Sequence, residues 1–322
     1  MSGEFDLIRR HFSPATDHTF LAGGDDAALI DPVPGRQLAV SADMLVSGRH
    51  FLAADDPADI GYKALAVNLS DLAAMGALPR WATLAIALPE ADDGWVAAFV
   101  GGFLGLAREH GVDLIGGDTT RGPLTIAVQI MGEVAPGRAL RRDGARAGDD
   151  LWVTGTLGDA ACALAQIVGS RRLDPGHAAA ALARHYRPVP RNAFGLALVG
   201  LANSCIDVSD GFVADVGHIA QRSGVRIKID WALVPLHPAI TVHRADPAIR
   251  DAALAGGDDY ELAFTAPGAV RDAIAEASAR IGVMATRCGR VMAGAGVVAV
   301  DGDGDGDGSP IPRARPGFDH FR

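Results

Sequence analysis

YKALAVNLSDLAAMGALP, residues 62–79, is an apolar helix sequence that meets a glycine and then leads into a strand. Just before it, Asp56 and Pro57 supply a helix cap followed by proline at the first helical position, so the helix is predicted to begin there. It is expected to run as far as Met75. Residues 81–88 are predicted to form a buried strand. A helix of this composition followed closely by a strand predicts a buried helix–strand unit in the first half of the chain.

Helices and strands alternate on either side of this unit, but several strands also follow one another directly. The pattern predicts further helices at 92–110, 158–168, 191–202, 212–223, 248–255 and 267–281, and strands at 38–43, 113–115, 124–134, 151–154, 204–208, 225–229, 260–265, 284–291 and 296–301. We therefore expect an α+β fold rather than one parallel sheet. A chain of 322 residues is long for one core. The Arg-, Gly- and Asp-rich segment 138–150 is the expected join, which gives domains at 1–137 and 138–322.

The overall composition excludes several functional classes. Hydrophobic residues make up 49% of the chain and charged residues 21%, as in ordinary globular proteins. The net charge of -10 argues against a nucleic-acid partner, which would select a basic face. The first residues, MSGEFD, lack the order of a signal peptide, and no apolar run is long enough to span a membrane. The sequence therefore predicts a cytoplasmic protein without a membrane partner.

Lysine and cysteine usage narrows the possible cofactors. Neither of the two lysines, Lys63 and Lys228, follows a glycine, so the P-loop step is missing, and the G-x-G-x-x-G spacing is absent too. A bound nucleotide is therefore not held in either familiar glycine-rich loop. The cysteines Cys162, Cys205 and Cys288 lie far apart without a C-x-x-C pair, which argues against a thiolate zinc site or a disulfide framework.

Aspartates beside glycine, serine or threonine recur along the chain. The segments are GGDD at 23–26, SAD at 41–43, NLSD at 68–71, GGDTT at 116–120, DVSDG at 207–211 and GGDDYE at 256–261. Carboxylate oxygens are preferred ligands of hard cations such as Mg²⁺. Glycines let a polyphosphate approach the backbone closely. The combination predicts a protein that holds metal-bound phosphate.

Each segment also has a simpler interpretation. The turn at 23–24 is expected to aim Asp25 and Asp26 inward, and a solvated acidic loop is the alternative. Asp71 lies near the end of an apolar helix, where a carboxylate opposes the helix dipole. A metal ion would compensate the charge of Asp71, unless its side chain faces water. GGDTT follows a short strand and could be an ordinary turn. DVSDG precedes a helix whose N-terminal amides favour anions, although Asp210 could be a plain helix cap.

Four other features could contact a ligand. Arginine forks such as Arg142 suit phosphate oxygens, although a surface arginine pair with its neighbour is the alternative. His50 could donate to a phosphate or cap a loop, and Asp258 could meet a polar or cationic group. Phe318 could stack on a ring or belong to a docked tail. The run DGDGDGDG at 301–308 lacks the glutamate of a calcium loop and is expected to be a flexible turn.

Taken together, the motifs resemble one family over nearly the whole chain. In order they are GEFDLIRRHF, GDDAAL, SADMLVSGRHF, YKALAVNLSDLAAMGALP, LIGGDTTRGPL, GDDLWVTGTLGDAA, ANSCIDVSDGF, GGDDYELAFT and GFDHF. This series is similar to that of the bacterial thiamine-monophosphate kinases. Aminoimidazole ribonucleotide synthetase, selenophosphate synthetase and hydrogenase maturation proteins share the architecture. The run 62–79, with GGDTTRGP, GGDDYEL and GFDHF, favours the kinase branch.

The resemblance implies an aminoimidazole ribonucleotide synthetase-like architecture, in which an N-terminal α/β domain forms a homodimer and a C-terminal α+β domain packs beside it. It also implies transfer of the γ-phosphoryl group of ATP to thiamine monophosphate, assisted by several Mg²⁺ ions. The implied metal ligands are Asp26, Ser41, Ala42, Asp43, Asp71, Asp118, Asp207 and Asp210. The implied ATP contacts are Gly117, Asp118, Arg142 and Ser209, and the thiamine phosphate contacts are His50, Asp258 and Phe318. The implied catalytic group is Asp43, Asp71, Asp118 and Arg142.

The chain departs from the family pattern at three places. Ala42 replaces a common threonine, so a metal contact there would use the backbone carbonyl, and Asp258 replaces a common glutamate. Glycines occupy 101–102, where an aromatic residue often meets the adenine. Two alternatives stay open. One is a related ATP-dependent synthetase; a selenophosphate synthetase is disfavoured because its N-terminal cysteine and nearby lysine are missing. The other is a non-catalytic protein that binds ions through 301–308, which leaves GGDTT and Arg142 unexplained.

Overall fold

The computed structural model describes residues 4–23, 25–301 and 309–310. It divides the chain into two compact units, Met1–Leu72 with Ala77–Gly137 and Ala73–Gly76 with Arg138–Arg322. Each unit combines helices with a largely antiparallel sheet, so the expected α+β class is confirmed. Across the described ranges, no helix combines the length and the apolar character needed to cross a membrane.

The first unit is built on a four-stranded sheet in the order β3-β6-β4-β5. Only β4 and β5 run parallel, and the other neighbours are antiparallel. Its elements are α1 Glu4–His11, β1 Thr19–Leu21, β2 Leu29–Ile30, β3 Gln37–Val46, α2 Pro57–Ala74, β4 Leu78–Leu88, α3 Asp93–Glu109, β5 Asp113–Arg121 and β6 Thr125–Val134. Strands β1 and β2 form a separate antiparallel pair.

Helices α2 and α3 cross each other at very short range. A Cβ atom added at Gly61 of α2 would lie 1.9 Å from the carbonyl oxygen of Phe99, and one added at Gly102 of α3 would lie 1.9 Å from that of Ala58. Real carbon and oxygen atoms do not approach so closely, so both positions require glycine. The crossing fixes α2, the helix that carries Asp71, within the first unit.

Strand β3 presents two different faces because successive side chains of a strand point to opposite sides. Leu38, Val40 and Met44 are 43%, 54% and 59% exposed. The intervening Ser41 and Asp43 are half-buried. One face of β3 is therefore apolar and open to solvent, and the other carries two of the candidate metal ligands.

The second unit is built on a seven-stranded sheet in the order β13-β12-β9-β11-β7-β10-β8. Strands β12 and β9 are parallel and the other neighbours are antiparallel. Its elements are β7 Asp150–Thr154, α4 Asp159–Ile167, α5 Pro175–Tyr186, α6 Asn192–Leu198, β8 Ser204–Asp207, α7 Phe212–Ser223, β9 Arg226–Asp230, α8 Pro247–Ala255, β10 Leu262–Ala266, α9 Arg271–Ile281, β11 Ala285–Met292, β12 Gly296–Asp301 and β13 Ser309–Pro310. Short 3-10 turns lie at Trp231–Leu233, Pro238–His243 and Gly268–Val270.

Both faces of this sheet are covered by core side chains. On β7, Leu151 and Val153 join one hydrophobic cluster, whereas Trp152 between them joins another. Likewise Ala263 of β10 belongs to the first cluster and Phe264 to the second. The middle strands are thus buried on both sides. The candidate residues Ser209, Asp210 and Asp258 lie in loops beside strands β8 and β10, where they are half-buried.

The sequence predictions hold for most elements and fail at a few. The helix expected at 57–75 is observed as α2, Pro57–Ala74. The glycines of GGDTT were expected to leave the strand after Ile115, and this is wrong because β5 continues to Arg121. A helix at Pro175–Tyr186, α5, was not predicted, although Asp174 caps it and proline opens it.

Candidate active site

Two predicted metal ligands of the first unit meet across a helix and a strand. Ser41 of β3 donates its hydroxyl hydrogen bond to Asp71 Oδ2 of α2, with 2.5 Å between the oxygens. Asp71 is half-buried, as expected for a carboxylate at the end of a largely apolar helix. In this structure a hydroxyl group contributes to compensating that charge. The pair places two oxygen donors side by side, which is the chemistry that a hard cation requires.

Asn68 joins the same group from one turn earlier on α2. Its Oδ1 accepts a hydrogen bond from the backbone N–H of Asp43 at 3.2 Å, and its Nδ2 donates to the carbonyl oxygen of Ala64 at 2.9 Å. The side chain is completely buried. Asn68 therefore fixes the strand segment that carries Asp43 relative to the helix that carries Asp71. The sequence placed Asn68 on the helix but gave it no role.

Asp118 and Gly117 lie farther along the sheet. Both are exposed on β5, and strands β4 and β6 separate β5 from β3. A Cβ atom at Gly117 would lie 1.8 Å from the carbonyl oxygen of Leu84, so glycine is required by the pairing with β4. The structure thus brings Ser41 and Asp71 together, connects Asp43 to the same helix through Asn68, and places Asp118 on the other edge strand of the sheet, with two strands in between.

The expected inward orientation of the first aspartate pair is not observed. Asp25 and Asp26 are both exposed, and the N–H of Asp26 donates to Asp25 Oδ1 at 3.0 Å. Gly24, one of the two expected turn residues, lies outside the described residues. Ala42 is exposed on the opposite face of β3 from Ser41, so its backbone is the only part suited to a metal.

His50 has a structural partner in the first unit. Its Nδ1 accepts a hydrogen bond from the backbone N–H of Val46 at 2.9 Å. An imidazole nitrogen that accepts carries no proton, so the neutral ring holds its proton on Nε2. The loop-capping interpretation of His50 is therefore observed, and it also determines which nitrogen could donate to a phosphate.

In the second unit, the segment 207–211 is hydrogen-bonded to Asp215, a residue to which the sequence analysis gave no role. Asp215, in the first turn of α7, accepts backbone hydrogen bonds from Ser209, Asp210 and Gly211, each at 3.1 Å. These three amides precede α7, and the carboxylate of Asp215 occupies them; the amides expected to favour an anion were those of the helix itself, which begins at Phe212. Burial and the nearby charge of Asp210 raise the pKa of Asp215 to about 7, against the opposing effect of the three N–H donors.

The segment 256–261 lies directly beside 207–211. The N–H of Asp258 donates to the carbonyl oxygen of Ser209 at 2.8 Å, and the N–H of Tyr260 donates to that of Val208 at 2.8 Å. Asp258 and Tyr260 have φ values of 64° and 51°, which is uncommon for residues other than glycine. Such backbone strain persists only where surrounding contacts enforce it. His185 provides one contact, with Nδ1 3.3 Å from Asp258 Oδ2.

A buried ion-pair network anchors the far end of that segment. Glu261 is completely buried and accepts hydrogen bonds from Arg184, from Arg191 at 2.5 and 2.7 Å, and from the Thr154 hydroxyl at 2.5 Å. Burial raises the pKa of Glu261, but its bonds and charge interactions with Arg191 and Arg184 outweigh burial and leave the pKa below its usual value. The carboxylate is therefore ionised and paired at neutral pH.

Asp259 is the second inward anchor. Its two oxygens each lie 3.0 Å from the N–H of Gly158, at the start of α4, which donates to both. Burial raises the pKa of Asp259 well above the ordinary value, and the N–H bond opposes that rise only in part. With Asp259 and Glu261 directed inward, Asp258 is left half-buried at the surface of the unit, where a ligand could reach it.

The two neighbouring arginines near the domain join differ in their partners. Arg141 forms a bidentate pair with Asp143 at 2.9 and 2.5 Å. Within the ranges that the structure describes, no carboxylate pairs with the exposed guanidinium of Arg142. Arg142 is therefore the member of the pair whose charge is available to a phosphate. Phe318, expected to stack on a substrate ring, lies outside the described residues.

The donor set suits magnesium rather than a softer metal. The candidate ligands are carboxylate and hydroxyl oxygens, with no cysteine or histidine among them. Among the described residues, no three His, Cys, Asp or Glu side chains already form a metal-binding group. The ligands would therefore depend on phosphate oxygens to complete a coordination shell, as Mg²⁺ sites for nucleotides commonly do.

Comparison with known proteins places this arrangement in a family. The AIR synthase related protein N-terminal domain model matches residues 24–134. Thiamine-monophosphate kinase of Escherichia coli K12 is 46% identical over 295 residues, which cover 90% of this chain and 91% of that protein. The chain belongs to the thiamine-monophosphate kinase family.

Solved structures of thiamine-monophosphate kinases agree in fold. The enzyme from Stenotrophomonas maltophilia K279a superposes with a TM-score of 0.83 at 49% identity, and the match covers 88% of this chain and 91% of that chain. The structure of AaThiL complexed with AMPPCP and TMP superposes with a TM-score of 0.76 at 32% identity and covers 99% of this chain and 97% of its own. The aminoimidazole ribonucleotide synthetase-like architecture expected from the motifs is therefore confirmed.

Proposed function

We propose that this chain transfers the γ-phosphoryl group of ATP directly to thiamine monophosphate, which yields thiamine diphosphate and ADP. Membership of the thiamine-monophosphate kinase family, at 46% identity over 90% of the chain, carries the proposal. The likeness to AaThiL complexed with AMPPCP and TMP supports both substrates. One P–O bond forms between an acceptor phosphate oxygen and the γ-phosphorus, while the bond from the γ-phosphorus to the β,γ-bridging oxygen breaks.

This reaction does not require a general base. The attacking group is a phosphate oxygen that is already ionised near neutral pH, so no proton has to be removed. The obstacle is repulsion between two anions. Metal ions screen this repulsion, and a site rich in carboxylates can hold them even when it is poor in lysine. Catalysis of phosphoryl transfer consists largely of such positioning and charge stabilisation.

Within this proposal, each unit contributes carboxylates and neighbouring oxygens as Mg²⁺ ligands. The proposed ligands are Asp26, Ser41, the Ala42 carbonyl, Asp43, Asp71, Asp118, Asp207 and Asp210. When bound, the ions neutralise phosphate charge and align the reacting groups. The Ser41–Asp71 hydrogen bond and the Asn68–Asp43 contact support a pre-arranged set of oxygen donors in the first unit.

The remaining residues have proposed roles in binding. Arg142 places its guanidinium on the ATP phosphates, while Gly117 and Ser209 contact the nucleotide. His50 directs its Nε2 proton towards the acceptor phosphate. Asp258 and Phe318 bind the thiamine part, and the negative charge of Asp258 suits a cationic ring. We assign residues 1–137 to ATP binding, Mg²⁺ binding and homodimer formation. Residues 138–322 form the second domain, and a cytoplasmic location stays a prediction from the sequence.

The test is a product assay with Mg-ATP and thiamine monophosphate, with thiamine and no acceptor as controls. Chromatography should detect thiamine diphosphate and an equal amount of ADP only with the monophosphate, and excess EDTA should abolish both. ATP binding without thiamine diphosphate would overturn the proposed reaction and favour a synthetase relative. Failure to bind ATP at all would favour an ion-binding protein.

A further inference from the structure

Asp215 is a buried carboxylate that accepts hydrogen bonds from the segment that carries candidate ligands. Its side chain lies in the first turn of α7 and is 2% exposed. A single oxygen, Oδ2, accepts the N–H groups of three consecutive residues, Ser209, Asp210 and Gly211, at 3.1 Å each. Three convergent bonds to one atom define the orientation of the peptide units between 208 and 211.

The same segment also supports the neighbouring segment 256–261. The carbonyl oxygen of Ser209 accepts the N–H of Asp258, and that of Val208 accepts the N–H of Tyr260. A Cβ atom at Gly257 would lie 2.5 Å from the carbonyl oxygen of Ser209, so the two backbones are in direct contact there. Any rotation of the peptide units at 208–210 would therefore displace Asp258 as well.

The residue at the N-cap of α7 makes no side-chain hydrogen bond to the helix. Gly211 occupies the cap position with φ 121° and offers no side chain. A Cβ atom at that position would lie 2.9 Å from the backbone of Ala255, so a serine or aspartate cap is excluded there. The carboxylate of Asp215 instead satisfies the N–H groups of Ser209, Asp210 and Gly211, which lead into the helix, so these three amides are engaged by the protein itself rather than by a phosphate.

We propose that Asp215 is a positioning residue that sets Ser209 and Asp210 for Mg-ATP and, through the carbonyl oxygen of Ser209, sets Asp258 for the phosphoryl acceptor. The proposal rests on the proposed function, because Ser209, Asp210 and Asp258 are taken as ligand contacts. It adds a single buried side chain that links nucleotide binding to acceptor binding inside the second unit. Asp215 itself touches neither substrate.

The test compares three substitutions of Asp215 with a matched control. Asp215→Ala and Asp215→Ser remove the long acceptor, whereas Asp215→Asn keeps an oxygen that can accept the same N–H bonds. Asp92 provides the control because it also accepts two backbone N–H groups, from Gly94 and Trp95 at 2.9 and 3.1 Å, at the start of α3. Asp92→Ala removes a helix cap in the first unit and leaves the sequence of segments 207–211 and 256–261 unchanged.

The measurements are steady-state kinetics with each substrate varied, calorimetric titration with Mg-AMPPCP, and thermal unfolding. Asp215→Ala and Asp215→Ser should lower kcat/KM for both Mg-ATP and thiamine monophosphate by about 10- to 100-fold, the usual cost of losing a residue that orients ligands. Mg-AMPPCP binding should weaken in parallel. Asp215→Asn should restore kcat/KM to within about threefold of the parent, and Asp92→Ala should lose thermal stability without a change in either KM.

The possible failures can be told apart. If the parent protein forms no thiamine diphosphate, the proposed function fails. If the parent is active and a folded Asp215→Ala or Asp215→Ser protein keeps both KM values and its Mg-AMPPCP affinity, the positioning role fails. If neither of these variants folds, Asp215→Asn decides between the outcomes. An unaltered melting temperature with unaltered KM values supports the role. An unaltered melting temperature with weakened binding of both substrates overturns the hydrogen-bond explanation.

Discussion

Asp71 and Asp43 illustrate how neighbouring elements place two carboxylates on one side of the first unit. Asp71 accepts the Ser41 hydroxyl, and Asn68 holds the backbone N–H of Asp43. The sequence predicted Asp71 and Asp43 as candidate ligands because both stand in a repeated pattern of aspartates beside small residues. The role of Asn68 could not be predicted from the sequence, because the contact of Asn68 with Asp43 exists only once α2 lies against β3.

Asp71→Asn tests the role of that carboxylate without changing its shape. The amide keeps an oxygen for Ser41 but loses the negative charge that a cation requires, so kcat should fall by roughly 100-fold or more. Circular dichroism and the melting temperature should stay close to those of the parent. Asp31→Asn, at an exposed aspartate of the same unit, is the control and should leave kcat unchanged. Near-normal turnover of Asp71→Asn would remove Asp71 from the metal-binding set.

Glu261→Gln tests the buried network of the second unit. The substitution removes the carboxylate that Arg191 pairs with and leaves Arg184 with the Asp159 carboxylate, 3.4 Å away, so the unfolding free energy should fall by about 3–5 kcal/mol. Because the folded pKa of Glu261 is lowered, its stabilising effect is present above its unfolded pKa of about 4.3 and is lost as the pH falls through the folded value.

The free energy of urea unfolding of the parent should therefore fall more between about pH 5 and about pH 3 than that of Glu261→Gln. Glu276→Gln on α9, where the side chain is exposed, is the control and should follow the parent at both pH values. An equal loss of stability for the parent and Glu261→Gln over this range would contradict the assigned ionisation of Glu261.

At the scale of elements, the same aspartate-proline signal precedes one helix that was predicted and one that was missed. Asp56 caps α2, because its Oδ1 accepts a hydrogen bond from the N–H of Ala58 at 2.8 Å. The predicted start of the helix at Pro57 is confirmed. The same aspartate-proline signal at Asp174 precedes α5, so that helix could have been found. The continuation of β5 through GGDTT could not, because glycine there reflects contact with β4 rather than a turn.

Gly102→Ala tests the close crossing of α2 and α3. A new Cβ atom would meet the carbonyl oxygen of Ala58 at 1.9 Å, so the helices must separate and stability should fall by about 1–3 kcal/mol. Gly105→Ala is the matched control on the same helix because nothing lies within 4 Å of its added Cβ atom. The control should gain up to about 1 kcal/mol from helix propensity. Chemical denaturation measures both, and equal effects would show that the crossing tolerates a side chain.

At the scale of the whole molecule, fold class and reaction were accessible from the sequence for different reasons. The α+β class followed from strands that succeed one another without helices between them. The reaction followed from the combined series of motifs, since each motif alone fits an ordinary turn or cap. The positioning of Asp258 by inward-facing Asp259 and Glu261 needed the structure, because GGDDYE does not show which of its acidic residues are buried.

The exposed apolar face of β3 leads to a prediction about assembly. Leu38, Val40 and Met44 are each at least 43% exposed on alternate positions of one strand, and burial of such side chains in a partner would remove their contact with water. A homodimer through the first unit, as proposed above, would bury them. Val40→Asp places a charge in the middle of this row and should convert a dimer into a monomer, because an unpaired charge is costly to bury.

Sedimentation velocity should then show the parent at twice the chain mass of 33.2 kDa and Val40→Asp at the chain mass itself. Val242→Asp is the matched control, since Val242 is 82% exposed on a 3-10 turn of the second unit and should leave the parent mass unchanged. A parent that sediments as a monomer would refute the dimer. A dimeric Val40→Asp protein would place the interface elsewhere, because three large apolar side chains in one row cannot accept a buried carboxylate without loss of affinity.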